Sequence, residues 1–176
     1  MHKEIWKDIK DYEGLYQVSN FGKVKSLSRK YKNGLGYFVY LRERVKKQRI
    51  RGGYKCVTIS KDGFKKNFCV HVLVAQSFLG NLSMVVNHKD GDKQNNNLVN
   101  LELVTHRENI THSYLSRKKS SSFIGVYPRK STSNPWGSCI CINGSTQYLG
   151  CFKTEAKAHQ AYLNALRSNN IQNKYA

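Results

Sequence analysis

One 29-residue stretch, MVVNHKDGDKQNNNLVNLELVTHRENITH at residues 84–112, constrains the fold of this chain most strongly. It contains three histidines and six asparagines, and its polar middle is flanked by the apolar segments Val85-Val86 and residues 101–104. Asp90-Gly91 indicates a tight turn after the first segment. Thr105, with a glutamate three residues later, has the spacing of a helix N-terminus. The stretch therefore predicts a ββα unit, in which two short strands and a helix surround one polar cluster.

The charge of the chain indicates a polyanionic partner. Thirty lysines and arginines against eleven acidic residues give a formal net charge of +19 over 176 residues. This exceeds what solubility requires, so we expect double-stranded DNA as the partner rather than a small-molecule substrate, with a lysine-rich surface of no function as the alternative. No apolar run approaches the roughly 18 residues of a membrane span, which argues against a membrane. RNA ranks below DNA because the base-stacking motifs of the usual RNA-binding modules are not present.

The cysteines and the start of the sequence indicate a reducing compartment. The five cysteines are odd in number and lack the CxxC spacing, which argues against a disulfide framework and against a structural zinc site. The sequence leads directly into the polar run IWKDIKDYEG, in place of the apolar core of a signal peptide. We therefore expect the protein in the cytoplasm of a host cell.

The N-terminal part has the turn signals of a small β-rich module. We predict one hairpin over residues 15–27, around SNFG with Gly22 at a positive φ, and a second over residues 56–70, around a DG pair. Between them, RKYKNGLGYFVYLRERVKKQRIRGG interleaves basic and aromatic side chains. This pattern fits a surface that follows phosphates, and a solvated charged loop is the alternative. Residues 71–79 have near-helical apolar spacing, which Gly80-Asn81 ends.

The C-terminal part predicts a sheet packed on one helix. The basic, serine-rich segment at residues 116–122 is typical of a link between domains. Three strands follow, in SFIGVYPRK, WGSCICI and STQYLGCF, and Asn143-Gly144 indicates a type I′ turn between the last two. Residues 153–167 have the small and apolar spacing of a helix that can pack closely on a sheet. The middle strand has Ser138, Ile140 and Ile142 on one face.

Three linked motifs within residues 3–115 resemble those of one nuclease family. VNHKDG, followed by NNL, NL, VT and EN across residues 86–109, resembles the HNH nuclease motif of phage and intron-encoded homing endonucleases. EIWKDIKDYEGLYQVSNFGKVKS is similar to the small N-terminal module of such endonucleases, and VHVLVAQSF is similar to the segment that introduces their active site. The resemblance implies a site-specific DNA endonuclease with a ββα-metal core.

The resemblance also implies roles for the polar side chains. Hydrolysis of a phosphodiester requires a base that deprotonates water and a cation that offsets charge on the phosphate. The family motif assigns the base to His88 and gives Asn100 the structural role of holding the loop to the strand. Asn87 and Asn109 are the implied ligands of one Mg²⁺ or Mn²⁺ ion per active site. His112, one helical turn after Asn109, is either a further ligand or a surface histidine.

Two residues of this region qualify the assignment. Several relatives carry an aspartate where this chain has Asn87, and hard divalent cations prefer anionic oxygen ligands. Metal affinity is therefore expected to depend more strongly on the DNA phosphate. His71 begins an apolar helix, so we expect it to fix the fold or to contact a phosphate rather than to take part in chemistry.

A second resemblance covers residues 122–168. GVYPRK, PWGSCICINGSTQYLGCF and the alanine-rich helix are similar to the Apetala-two domain, the ethylene-response-factor type of DNA reader that is often joined to HNH endonucleases. In that family the sheet enters the major groove, which implies DNA contacts from Tyr127, Arg129, Lys130, Trp136, Cys139, Cys141 and Tyr148. Relatives often have arginine in place of Cys139 or Cys141, so fewer guanine contacts and relatively more apolar or phosphate contacts are expected.

The whole sequence predicts an α+β chain of small modules that acts as a homing-type endonuclease and works as a monomer on DNA. The predicted regions are a β-rich DNA-binding module at residues 1–60, an HNH ββα-metal core at 61–115, a linker at 116–121 and an Apetala-two-like domain at 122–176. The alternative is a sequence-specific DNA-binding regulator with a vestigial HNH site. Asn87 favours this alternative, whereas His88 and Asn109 at motif spacing favour the enzyme.

Overall fold

The computed structural model describes residues 3–80, 83–115 and 120–172. Four residues of the predicted linker, 116–119, lie outside this part of the chain. Antiparallel sheets and a few helices alternate along the sequence, which fits the predicted α+β class. No helix among the described residues has the length and apolar character that a membrane crossing requires.

The chain divides into two compact units, which we call the first unit, Met1–Thr105, and the second unit, His106–Ala176. In the first unit, helix α1 spans Val70–Leu79 and a 3₁₀ turn spans Leu98–Asn100. The strands of this unit are β1 (Trp6–Asp8), β2 (Tyr16–Ser19), β3 (Val24–Ser26), β4 (Arg29–Lys32), β5 (Phe38–Leu41), β6 (Arg44–Val45), β7 (Arg49–Arg51), β8 (Tyr54–Lys61), β9 (Phe64–Cys69), β10 (Val85–His88) and β11 (Leu101–Val104).

These strands form four antiparallel sheets, and three of the sheets contribute to one hydrophobic core. The strand orders are β1-β2-β3-β6, β4-β5, β7-β8-β9 and β10-β11. The core draws buried side chains from elements far apart in the sequence, among them Val18, Val24, Val57, Ile59, Leu73, Val74 and Leu101. Full burial of each such side chain stabilises the fold by about 1.5–3 kcal/mol. The predicted β-rich module and the nuclease segment therefore share one core.

The two hairpin turns predicted for the first unit lie at the predicted positions. The first predicted hairpin consists of β2 and β3, and Gly22 in its turn has a φ of 74°. The second consists of β8 and β9, joined by Asp62 and Gly63 at φ values of 51° and 81°. The segment of alternating basic and aromatic residues contains the hairpin of β4 and β5 rather than an irregular loop. Local turn chemistry therefore determines these hairpins.

The second unit contains helix α2 (His106–Leu115), helix α3 (Glu155–Ser168) and a three-stranded antiparallel sheet. The strands, in sheet order, are β12 (Val126–Pro128), β13 (Trp136–Ile142) and β14 (Ser145–Phe152). The hydroxyl of Thr154 accepts a hydrogen bond from the N–H of Lys157 at 3.3 Å and so caps the start of α3.

The core of the second unit lies between its sheet and α3. Ile140 of β13 is buried together with Tyr162 and Leu166 of α3, and Ile142 packs against this cluster. Ser138 is fully buried on the same strand, where its hydroxyl donates to the carbonyl of Gly125 at 3.1 Å. The structure therefore confirms that Ser138, Ile140 and Ile142 share one face of the middle strand, and this face turns toward α3.

Candidate active site

The hairpin of β10 and β11 positions the polar cluster of the first unit. Its register places Asn87 opposite Glu102 and His88 opposite Leu101. Successive residues of a strand point to opposite faces, so Asn87 and His88 contact different neighbours. The chain leaves β10 in a tight turn, in which the N–H of Gly91 donates to the carbonyl of His88 at 3.0 Å. His88 therefore lies where the strand ends and the polar loop begins.

The ring of His88 is buried against the side chain of Asn96. The side chain is 4% exposed, and its Nε2 lies 3.1 Å from Oδ1 of Asn96. Because an amide oxygen can only accept, Nε2 carries the proton, and the lone pair of the neutral ring is on Nδ1. The hydrogen bond to Asn96 uses Nε2 and not Nδ1. The arrangement leaves Nδ1 able to accept a proton.

Aromatic rings form the wall beside His88. The ring centroid of His71 lies 5.0 Å from that of His88, and Tyr54 packs against His71 at 4.9 Å. Burial, and after it the charge of His88, lowers the pKa of His71 to about 4. Nδ1 of His71 is buried without a hydrogen-bond partner in the described part of the chain. Near physiological pH, His71 is therefore an uncharged ring that packs beside His88.

The loop that carries Asn96 is pressed against the turn between β2 and β3. The N–H of Leu98 donates to the carbonyl of Asn20 at 2.8 Å. A Cβ atom on Gly22 would lie 2.7 Å from Cβ of Asn96 and 2.9 Å from its carbonyl oxygen. Glycine is the residue that permits both this approach and the positive φ. The side chain of Asn96, itself 4% exposed, is thus fixed by a turn in the N-terminal part of the unit.

Asn100 contacts the polar loop rather than the histidine ring. Its Nδ2 donates to Oδ1 of Asp90 and to the carbonyl of Asn95, both at 2.9 Å, and its Oδ1 accepts from the N–H of Asp90 at 3.2 Å. Loss of hydration raises the pKa of the Asp90 carboxyl, but hydrogen bonds from Asn95, Asn100 and the N–H of Asp92 outweigh it and lower that pKa. The side chain that touches the ring of His88 is Asn96.

Asn87 lies against a carboxylate. It is 6% exposed, and its Nδ2 donates to Oε1 of Glu102 at 2.8 Å. The part of the chain that the structure describes contains no group of three or more His, Cys, Asp or Glu side chains that could hold a metal ion. Amide and carboxylate oxygens are nevertheless the hard donors that Mg²⁺ and Mn²⁺ prefer. The chemistry of this pair therefore fits the predicted class of cation.

The other two predicted metal ligands lie on α2, in the second unit. Asn109 and His112 are three residues apart, and both are half-buried. Residues at this spacing share one face of a helix. In the same helix, the guanidinium of Arg107 donates to the backbone carbonyl of Cys141. The roles of Asn109 and His112 stay predictions.

The predicted DNA-contacting residues differ in exposure. Tyr127, Arg129, Lys130, Cys141 and Tyr148 are exposed, whereas Trp136 and Cys139 are half-buried. Cys139 and Tyr148 are directly opposite in the register of β13 and β14, and the hydroxyl of Tyr148 accepts a hydrogen bond from Nη1 of Arg129 at 3.4 Å. All five cysteines of the chain are free thiols. The outer part of this sheet is thus a mixed aromatic and basic surface.

A basic surface also covers part of the first unit. A groove beside β6, β7 and β8 is lined by Arg44, Lys46, Lys47, Arg49 and Lys65. The hairpin of β4 and β5 exposes the aromatic side chains of Tyr31, Tyr37, Phe38 and Tyr40. In this region, ordered strands expose the basic and aromatic side chains that alternate in the sequence.

Sequence reasoning assigned no role in the site to Asn96, Tyr54 or Glu102. Asn96 is the middle residue of three consecutive asparagines, and no periodicity tells which of them faces His88. The position of Glu102 could have been found, because a register that joins the two apolar segments of the motif places it opposite Asn87. No local sequence pattern indicates a role for Tyr54, because it reaches the site from a strand that is distant in the sequence.

Comparison with known proteins identifies two matched regions. Residues 4–60 match the family model described as the NUMOD4 motif, and residues 68–110 match the one described as HNH endonuclease. The chain is therefore similar to HNH endonucleases over residues 68–110 and to the NUMOD4 motif over residues 4–60. This confirms the predicted nuclease motif and N-terminal module, whereas the resemblance of residues 122–168 to the Apetala-two domain stays a prediction.

Individual relatives make the assignment more specific. The solved structure titled "DNA binding and cleavage by the HNH homing endonuclease I-HmuI" has a TM-score of 0.52 and 29% identity, over 97% of this chain and 94% of that chain. DNA endonuclease I-HmuI of Bacillus phage SP01 is 43% identical over 60% of this chain and 55% of its own length. An uncharacterized HNH endonuclease of Acanthamoeba polyphaga mimivirus is 35% identical over 82% of this chain and 40% of its own length. The chain thus spans about half the length of these curated relatives, and it is homologous to I-HmuI.

Proposed function

We propose that this chain is a site-specific, metal-dependent DNA endonuclease of the homing type, in which His88 is the general base. The observation that carries the proposal is the buried hydrogen bond between His88 and Asn96, which leaves the lone pair of His88 on Nδ1. A protein that only binds DNA has no need to hold a histidine in one tautomer. Homology to an endonuclease whose solved structure concerns DNA binding and cleavage supports the same class of reaction.

The proposed reaction is hydrolysis of one phosphodiester. Water attacks phosphorus while the bond from phosphorus to the leaving 3′ oxygen breaks, and Nδ1 of His88 takes the proton of the water. The ring is then an imidazolium whose Nε2–H still donates to Asn96, which stabilises the new charge. His71 adds no opposing charge, because burial and the charge of His88 lower its pKa to about 4.

A divalent cation, Mg²⁺ or Mn²⁺, would supply charge neutralisation on the phosphate and on the leaving oxygen. Asn87 would hold it through Oδ1, and its buried position beside a carboxylate supports this role. Asn109 and His112 are proposed as further ligands on the strength of the family resemblance. We propose one cation per active site.

The basic surfaces would bind a long stretch of double-stranded DNA. We propose the division into a DNA-binding module at residues 1–60, the HNH ββα-metal core at 61–115, a linker at 116–121 and an Apetala-two-like DNA reader at 122–176. The cationic groove of the first unit supports phosphate contacts there. The exposed Arg129 and Tyr148 support contacts from the sheet of the second unit. The protein would act as a monomer on DNA.

A sequence-specific regulator with a vestigial site is the second candidate. The observation in its favour is the neutral side chain of Asn87, which supplies no anionic oxygen of its own for a hard cation. Such a protein would bind its target tightly and leave it intact in the presence of any divalent ion.

Cleavage by matched variants tests the proposal. Host genomic DNA is incubated with the protein and Mg²⁺ or Mn²⁺, and the new DNA ends are sequenced to find the target. His88→Ala should then lower cleavage of that target by about 10²–10⁴-fold with DNA affinity near wild type. Asn109→Ala should abolish metal-dependent turnover and spare binding. His106→Ala, at an exposed histidine of α2, is the control that should cleave normally. Undiminished cleavage by His88→Ala would show that His88 is not the general base.

A further inference from the structure

We propose that Glu102 is a positioning residue of the metal site, which fixes the amide of Asn87 and supplies the negative charge that an asparagine lacks. The inference rests on the proposed function, because it concerns the same cation. It assigns a purpose to a carboxylate that the family motif does not include.

The geometry of the hairpin brings the two side chains together. Asn87 in β10 and Glu102 in β11 are directly opposite in the antiparallel register, so their side chains share one face. The distance from Nδ2 of Asn87 to Oε1 of Glu102 is 2.8 Å, and Asn87 is buried while Glu102 is half-buried. A hydrogen bond from an amide to a carboxylate in a partly buried place is stronger than one between neutral groups.

This hydrogen bond orients the amide of Asn87. A carboxylate can only accept, so it holds the NH₂ group of Asn87 toward β11. Rotation of the amide by 180° would bring two acceptor oxygens to about the same 2.8 Å separation, which is repulsive. Oδ1 of Asn87 is thereby directed away from Glu102, as required of an amide that presents its oxygen to a cation.

The same pair places one negative charge beside the ligand. An aspartate at position 87 would itself carry a negative charge. Here the negative charge lies on Glu102 of the neighbouring strand, and it acts on the cation through the amide of Asn87. Groups that orient a metal ligand commonly change metal affinity by about 10- to 100-fold. Asp90, the nearby alternative, already accepts hydrogen bonds from Asn95, Asn100 and the N–H of Asp92 within its loop.

A structural cross-strand hydrogen bond is the rival explanation, and a set of variants separates the two. Glu102→Gln removes the charge but keeps an oxygen that can accept from Asn87. The double variant Asn87→Asp with Glu102→Gln reverses the pair, so that the amide at position 102 donates to a carboxylate at position 87. Asp62→Asn is the control, because it removes a carboxylate from an exposed turn at φ 51°, a conformation that asparagine also tolerates.

The measurement is titration of the full-length protein with Mn²⁺ alone, followed by the electron paramagnetic resonance signal of the free ion. Glu102→Gln should bind Mn²⁺ about 10- to 100-fold more weakly than wild type. The double variant should recover affinity near wild type, and Asp62→Asn should not change it. A merely structural bond predicts equal Mn²⁺ affinity for wild type and Glu102→Gln, and that result would overturn the inference. A wild type without measurable Mn²⁺ binding, or a double variant as weak as Glu102→Gln, would overturn it as well.

Failure of this inference is distinguishable from failure of the proposed function. If Glu102→Gln keeps its Mn²⁺ affinity while His88→Ala loses cleavage, the inference fails and the endonuclease proposal stands. If His88→Ala and Asn109→Ala both cleave normally, the proposed site fails whatever the Mn²⁺ titration shows. Thermal unfolding of each variant without metal verifies that the fold is retained.

Discussion

The amide oxygen of Asn96 lies 3.1 Å from Nε2 of His88, and both side chains are buried. In the proposed reaction this contact leaves Nδ1 of His88 to accept a proton, so its removal is expected to lower cleavage and to leave DNA affinity unchanged. We therefore predict that Asn96 is a positioning residue, which acts through His88.

Replacement of Asn96 tests this role through the pH profile of cleavage. Asn96→Asp places a carboxylate against the ring of His88, which stabilises the protonated imidazolium. The acidic limb of the pH–rate profile should therefore move to higher pH, whereas Asn96→Ala should lower the rate at all pH values. Asn97→Ala, at the next residue, is the control and should leave the profile in place. An unshifted limb for Asn96→Asp would show that Asn96 does not act on the base.

Gly22→Ala tests the support of Asn96 by the N-terminal turn. A methyl group at position 22 would approach Cβ of Asn96 to 2.7 Å at a φ of 74°. Gly14→Ala is a matched control, because Gly14 has a φ of 69° and no atom within 4 Å of its added Cβ. Both variants carry the backbone cost of about 1 kcal/mol, which chemical denaturation measures.

Only Gly22→Ala should lose cleavage beyond what its reduced stability explains. Cleavage is measured at a temperature where both variants are fully folded. Equal cleavage by the two variants would mean that the turn does not control the position of Asn96.

The hairpins of this chain could be predicted from sequence because the residues that determine each turn are adjacent in the sequence. A pair such as Asn143-Gly144 or Asp62-Gly63 fixes a turn whatever lies elsewhere in the chain. The shared face of β13 was predictable for the same reason, since alternation alone puts Ser138 and Ile140 on one side. The family resemblance led to His88, because the motif is contiguous.

The contacts that define the site are not local and could not be predicted in this way. Gly22 and Asn96 are far apart in sequence, and no sequence pattern around either residue indicates that the two are in contact. The ring contacts among Tyr54, His71 and His88 likewise depend on the packing of α1 against two sheets. His71 was predicted to fix the fold or to contact a phosphate, and its burial shows that the surrounding core decides its environment.

His71 should make the stability of the protein depend on pH. Its pKa is about 4 in the folded state, below the ordinary value of about 6.5 that applies when the chain is unfolded. As pH falls from 6.5 toward 4, the unfolded state binds a proton that the folded state does not, so the free energy of unfolding decreases. The loss is on the order of 3 kcal/mol and is complete below pH 4.

Comparison with His71→Gln isolates this effect from the titration of carboxylates. Urea denaturation at several pH values between 7 and 4 gives the free energy of unfolding of both proteins. The difference between wild type and variant should change over this interval and be constant above pH 7. Parallel curves for the two proteins would contradict the assignment of a neutral buried His71.

Arg129→Ala should weaken DNA binding and reduce its dependence on salt. Each lost phosphate contact lowers the slope of log K against log salt by about 0.9. Lys157→Ala removes the same charge from an exposed position on α3, the helix that covers the opposite face of the sheet. Fluorescence anisotropy at several salt concentrations should show a larger change for Arg129→Ala, and equal slopes for the two variants would argue against DNA contacts from the sheet.

The contact between Gly22 and Asn96 bears on how the two matched segments of this chain can be recombined with those of its relatives. The boundary between the two matched family models falls near residue 60, but the N–H of Leu98 is bound to the carbonyl of Asn20, and both segments contribute to one core. A chimera that joined the NUMOD4 motif of one such protein to the HNH segment of another would have to preserve these contacts to keep the side chain of Asn96 beside His88. The two segments are therefore expected to tolerate exchange between proteins only as a pair.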